Sequence, residues 1–126
     1  MKSAKIVVID DDMAYLDLLR DALSEEGFAV VASADSRTAF ELVDREQPQA
    51  VILDVRMEHP DSGLIILDML RLHRRTAHIP VVMCSADANL LCEHADAFAD
   101  HECSVLAKPF ALDQLFRRLR ETIGRS

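Results

Sequence analysis

Apolar positions along this chain follow two alternating rhythms. Short apolar runs recur at residues 6–9, 28–32, 50–53, 81–84 and 105–107, rich in β-branched side chains and without polar alternation. Strands buried on both faces of a parallel sheet read this way. Between the runs, apolar residues fall at helical spacing: Leu16, Leu19 and Leu23; Phe40 and Val43; Leu64, Leu67 and Leu70; Leu91, Ala95 and Phe98; Leu112, Leu115, Leu119 and Ile123. The pattern predicts five strands alternating with five helices, the fourth helix (residues 89–98) carrying the thinnest apolar stripe. Gly27 is placed to end the first helix, Pro48 and Pro80 precede strands, and Asp35 or Ser36 can cap the second helix. Strict alternation with right-handed crossovers predicts an α/β, doubly wound, five-stranded parallel sheet with five flanking helices, for which the flavodoxin-like order 2-1-3-4-5 is one of the two common choices, with ligands at the carboxyl ends of the strands. No repeat or linker interrupts it, so residues 1–126 read as one domain. A chain of that length buries roughly two-thirds of the surface its unfolded form exposes.

Charge and cysteine usage narrow the partners and the compartment. Twenty-two acidic residues against fourteen basic ones leave a net charge of −8, which repels a phosphate backbone and argues against direct nucleic-acid binding. Cys84, Cys92 and Cys103 form no Cys-x-x-Cys pair, and an odd number suits no disulfide framework. Met1 to Lys5 lead straight into an apolar run of four residues, too short for a signal peptide or a membrane span. The expectation is a cytoplasmic protein with no membrane partner. Cys92 with His94, and His101 with Cys103, form a mirrored pair that suggests zinc, but helix positions two apart point in different directions; these are read as buried thiols and exposed histidines. Arg71, Arg74 and Arg75, and Arg117, Arg118 and Arg120, are read as runs on solvated faces, the second also suited to an acidic partner.

The chemistry gathers at the predicted strand ends. Asp10, Asp11 and Asp12 follow strand 1, Asp54 ends strand 3, Ser85 follows strand 4, and Lys108 and Pro109 follow strand 5. Singly, each has an ordinary reading, the aspartates as turn or helix caps and the Lys-Pro pair as a loop. Together they bring like charges to one edge, where two carboxylates about 4 Å apart repel by roughly 4 kcal/mol at an effective dielectric of about 20. Such a cluster needs a cation or a proton. Oxygen ligands without imidazole or thiolate favour Mg²⁺, and a carboxylate, a hard cation, a hydroxyl and a lysine around one point describe phosphoryl chemistry.

In these residues the chain resembles the receiver domains of two-component response regulators, over essentially its whole length. The resemblance is carried by the acidic pair Asp10 and Asp11 after Ile9, by Asp54 with Met57 three residues on, by Ser85 and Ala86, and by Lys108, Pro109 and Phe110. It implies that Asp54 accepts a phosphoryl group from a phosphohistidine on a sensor histidine kinase or a histidine phosphotransfer protein. By the same resemblance, Asp10, Asp11, Asp54 and the backbone carbonyl of Arg56 hold Mg²⁺. Lys108 then binds a phosphoryl oxygen, and Ser85 hydrogen-bonds another once the group is in place, signalling to a downstream target or output domain. Asp12 is expected just outside the metal shell, at the start of the first helix. The resemblance also implies that side chains at Arg56 and Asp87 flank the path of attacking water, where an ion pair between them would slow dephosphorylation.

Three departures from the family pattern stand out. Glu58 and His59 separate Met57 from Pro60, so Gly63 lies nine positions after Asp54 where the family has eight, a loop one residue longer. Val105 stands where an aromatic often couples its rotation to the hydroxyl, so the face beside strand 5 is expected to move less. Ala111 replaces the usual Asp or Ser cap of the last helix, which is expected to start loosely. An enzyme reading also exists: Asp10 and Asp12 form the Asp-x-Asp of a haloacid-dehalogenase-like phosphatase, with Asp10 as nucleophile. The short chain and the lack of a further acidic pair after Lys108 argue against it. A stand-alone receiver and a piece of a multidomain regulator look the same at this level.

Overall fold

Alternate residues of each apolar run are divided between two cores, which is why the runs show no polar alternation. Ile6, Val8, Ala50, Ile52, Val82 and Cys84 pack on one face of the sheet, and Val7, Ile9, Val51, Leu53, Val81 and Met83 on the other. A computed structural model describes residues 4–55, 62–86, 96, 103–108 and 110–124. Its elements are β1 (Lys5–Ile9), α1 (Met13–Glu25), β2 (Ala29–Ser33), a 3-10 turn (Ser36–Thr38), α2 (Ala39–Glu46), β3 (Ala50–Asp54), α3 (Ser62–Leu72), β4 (Val81–Ser85), β5 (Ser104–Ala107) and α4 (Leu112–Gly124). All strands are parallel, in the order β2-β1-β3-β4-β5. The doubly wound sheet is as expected, and α1 and α4 cover one face while α2 and α3 cover the other. Four helices stand among the described residues where five were expected. Apart from Asp96, which is helical, the predicted fourth helix falls outside them, as do Cys92, His94 and His101.

Local chemistry explains where elements start and stop. The expected strand at residue 28 begins one residue later, because Phe28 still belongs to the end of α1: its N–H donates to the Leu23 carbonyl while the Gly27 N–H donates to that of Ser24. Gly27 sits at φ 95°, so the helix closes in a Schellman turn that a glycine permits. Asp35 caps the 3-10 turn, accepting the Arg37 N–H at 2.9 Å, and α2 then begins without a side-chain cap of its own. α4 does not start loosely. The Gln114 side chain reaches back to accept the Ala111 N–H at 3.0 Å, the half of a capping box that needs no hydroxyl at the cap.

Two arginines read as solvated are structural. Arg71 donates to the Ile79 carbonyl at 2.8 Å, and Arg118 to that of Val105 at 3.1 Å. Ile79 leads into β4 and Val105 lies on the edge strand β5, where carbonyls lack a strand neighbour and a long donor satisfies them.

Gly63 fixes α3 against the end of β3. Its N–H donates to the Val55 carbonyl at 2.8 Å, and a Cβ there would lie 2.4 Å from the Asp54 carbonyl oxygen and 2.6 Å from the Val55 Cα. Both obstacles are backbone and cannot rotate away. Gly63→Ala should therefore lower stability by about 3 kcal/mol, the upper end of ordinary overpacking costs, measured as a fall in the urea midpoint. A midpoint unchanged from wild type would show that β3 and α3 separate without cost.

Candidate functional site

The sheet brings three of its strand ends to one point. Asp10 follows β1 with its N–H donated to the Ser33 carbonyl at 3.2 Å, which ties the turn to β2. Its carboxylate is engaged at both oxygens. Oδ1 accepts the Asp12 N–H at 3.0 Å, and Oδ2 accepts the Lys108 ammonium at 2.7 Å. The same ammonium lies 3.5 Å from Asp54 Oδ2, at the end of β3. Asp10 and Asp54 are buried, 3% and 8% exposed, whereas Asp11 faces solvent. Carboxylate oxygens of Asp10, Asp11 and Asp54 all lie within 4.8 Å of one another.

Lys108 is aimed by the backbone that carries it. Its N–H donates to the Ser85 carbonyl at 2.8 Å, extending the β4–β5 pairing one step past β5 and setting where the side chain departs. Burial by itself would push the ammonium towards neutrality, but the bond from Asp10 and the charges of Asp10 and Asp54 outweigh it, so its pKa is raised above the ordinary lysine value. It stays charged at neutral pH. Cys84, paired with Asp54 in the β3–β4 register, has its thiol pushed up to about 12 by burial, with the nearby carboxylates adding to the effect. It takes no part as a nucleophile. Tyr15 is likewise raised well above the ordinary phenol, by burial first and then by Cys84, Asp10 and Asp54.

Asp10, Asp11, Asp54 and Lys108 thus converge as the sequence suggested. Ser85 ends β4, 1% exposed, and its carbonyl holds the Lys108 backbone. Asp12 caps α1, accepting the Tyr15 N–H at 3.2 Å, and stays outside the cluster of three carboxylates. Val105 is half-buried opposite Met83 in the register. Arg56, Asp87, Met57 and Pro109 lie outside the described residues. Sequence reasoning missed Tyr15, whose ring lies 4.2 Å from the Lys108 ammonium and is met edge-on by Phe110, the centroids 6.4 Å apart. The available signal was position: Tyr15, the chain's sole tyrosine, falls one helical turn beyond Asp11.

The donor set suits a hard divalent cation. Three carboxylate oxygens without imidazole or thiolate, one of them from a solvent-facing residue, match the preferences of Mg²⁺, which retains several waters. Among the described residues no helix is long and apolar enough to cross a membrane.

Residues 6–120 match the response regulator receiver domain family. The chain is 36% identical over 125 residues to response regulator MprA of Mycolicibacterium vanbaalenii, a match that takes in 97% of this chain and 51% of MprA. It is 35% identical over 125 residues to MprA of Mycobacterium leprae, with 97% and 52% covered; the chain spans about half the length of the curated relatives it matches. Among solved structures, a putative response regulator from Chloroflexus aurantiacus superposes with a TM-score of 0.85 at 25% identity, covering 98% of this chain and 99% of that one. The chemotaxis protein CheY4 of Vibrio cholerae shares the fold, with a TM-score of 0.84 at 21% identity over 95% and 98% of the two chains. The phosphatase alternative finds no support in these matches. A likeness that runs unbroken from β1 into α4, on a sheet delivering its charged residues to one edge, makes this chain a member of the response regulator receiver domain family.

Proposed function

We propose that Asp54 is the phosphoacceptor of a two-component signalling step. The observation that carries this reading is the single ammonium of Lys108 held 2.7 Å from Asp10 and 3.5 Å from Asp54, at the mouth of a three-carboxylate cluster. Asp10 has both oxygens engaged, so it is built to hold. Asp54 makes the longer contact to Lys108, and its carboxylate oxygen forms the new bond to phosphorus as the phosphorus–nitrogen bond of the donor breaks, its electron pair returning to the imidazole.

Asp10, Asp11 and Asp54 would hold Mg²⁺, together with the backbone carbonyl of Arg56. When bound, the cation neutralises the negative charge that gathers on the phosphoryl oxygens. The protein's own groups do the rest. Lys108 neutralises an oxygen of the incoming group, and the Ser85 hydroxyl donates to another once it is in place. The phosphoryl group, with a charge of about −1.5 to −2 in place of the single carboxylate charge of Asp54, draws Lys108 away from Asp10. That displacement reaches β5 along the chain, since Lys108 directly follows Ala107, and β4 through the Lys108 N–H bond to the Ser85 carbonyl. Because Val105 has no ring to swing inward, we expect the face around β5 to move less than in relatives with an aromatic there.

The donor is a sensor histidine kinase or a histidine phosphotransfer protein, and the recipient of the signal a protein target or an output domain, all in the cytoplasm. The domain promotes its own phosphorylation and dephosphorylation; it is a signalling domain and not a metabolic enzyme. Arg56 and Asp87 flank the approach of water, and their pairing prolongs the phosphorylated state.

Incubation with acetyl phosphate and Mg²⁺ should give one labile phosphoryl adduct by mass spectrometry, located on Asp54 and absent from Asp54→Asn; an adduct on Asp10 would favour the phosphatase chemistry. Mg²⁺ at a hundred times its dissociation constant should stabilise the wild-type fold by about 2.7 kcal/mol, and Asp10→Asn should remove most of that gain in thermal melts. Lys108→Ala should keep some phosphorylation yet lose the chemical-shift response of residues 104–116 to beryllofluoride, and an equal response in mutant and wild type would take Lys108 out of the switch. Arg56→Ala and Asp87→Ala should each speed loss of the phosphoryl group, the double mutant being no faster than either. Unchanged rates in both single mutants would rule the pair out as a gate.

A further inference from the structure

We infer that Tyr15 is a positioning residue for phosphoryl transfer, its aromatic face forming a neutral seat that keeps the Lys108 ammonium at the site while its carboxylate partners change. This deepens the phosphoacceptor reading and rests on it.

The ammonium has three N–H bonds to direct. Two of its neighbours are carboxylates, Asp10 at 2.7 Å and Asp54 at 3.5 Å, and the third is the Tyr15 ring, with its centroid 4.2 Å away. A cation at that distance, with its side chain only 17% exposed, feels the negative face of the ring. The ring is fixed from two sides. From below, the Tyr15 N–H is held by the Asp12 carboxylate that caps α1. From the side, Phe110 meets it edge-on at an interplanar angle of 75°. Phe110 comes two residues after Lys108, so the segment that carries the ammonium also braces the ring beneath it.

The three neighbours differ in what the reaction does to them. Asp10 is a proposed cation ligand and Asp54 the proposed acceptor, so each loses part of its hold on the ammonium when a cation binds or a phosphoryl group arrives. The ring undergoes neither change. It offers the same attraction before and after transfer, confining the flexible lysine stem to the space where a phosphoryl oxygen will need it. An aliphatic side chain of similar volume would fill the same gap between α1 and Phe110 but would leave the ammonium to its carboxylates alone.

Packing and seating make different demands, so conservative variants separate them. Tyr15→Phe keeps the ring face, and Tyr15→Leu keeps apolar bulk without it. In the unphosphorylated wild-type protein and in Tyr15→Phe, the Lys108 ε-methylene protons should be shifted upfield by the ring current, and in Tyr15→Leu that shift should vanish. Phosphorylation of Asp54 by acetyl phosphate with Mg²⁺ in excess should slow about tenfold in Tyr15→Leu and stay within about twofold of wild type in Tyr15→Phe, as expected for loss of a cation–π contact in a partly desolvated site. Wild-type rates in Tyr15→Leu would overturn the seat, as would equal slowing in Tyr15→Phe, which would move the role to the hydroxyl. Should Tyr15→Leu fail to fold, absence of the upfield shift in wild type and Tyr15→Phe overturns it alone. Asp54→Asn run in parallel keeps the two readings apart: an adduct surviving there refutes the acceptor assignment, while the Lys108 shift, read without any phosphoryl donor, still judges the seat.

Discussion

Three carboxylates crowd one edge of this sheet, and a single ammonium holds the two buried ones there. At 4.8 Å and an effective dielectric of about 20, each like-charge pair costs about 3 kcal/mol, so three pairs approach the whole net stability of an ordinary domain. Solvent screens the share of Asp11, which is exposed, but Asp10 and Asp54 are buried and have no such relief. The Lys108 contact to both therefore governs the resting site. One ammonium set against three carboxylates leaves the cluster short of positive charge, which is the ground for the cation proposed there.

The fold supplies this arrangement through parallelism. Every strand runs the same way, so their carboxyl ends meet at one edge. The chain order then decides which ends are neighbours: β1 lies beside β3, and β4 separates β3 from β5. Lys108 spans that gap because its backbone is paired to Ser85 at the end of β4 and its stem crosses to Asp54 and Asp10. The stem is long enough for the crossing, its side chain is only 17% exposed, and β4 between the two strands is buried along its whole length.

What could be read in advance was whatever repeats or punctuates. The strand runs, the helical stripes, Gly27 and the charged strand ends were legible because each rests on a local period or a residue with a fixed conformational role. What could not be read depended on partners distant in the chain. Phe28 looked like strand because it is aromatic, yet the Schellman closure of α1 claims its N–H first. Ala111 looked like a missing cap because the compensating oxygen comes from Gln114, three residues on. Arg71 and Arg118 looked solvated since sequence does not reveal which carbonyls are left open ahead of β4 or along the edge strand β5. Tyr15 was invisible as part of the site, because its partner Lys108 is 93 residues away in the numbering and meets it only through the sheet.

The close approach of Gly63 to the Asp54 and Val55 backbone has a consequence for how such a domain can vary. The anchor is made by main-chain atoms and the absence of a side chain, so it does not depend on how many residues come before it. The chain here carries one residue more than the family pattern between Asp54 and that glycine, and α3 is docked against β3 nonetheless. The anchor at Gly63 thus holds the end of β3, and Asp54 with it, in place beside a loop whose length differs from the family pattern.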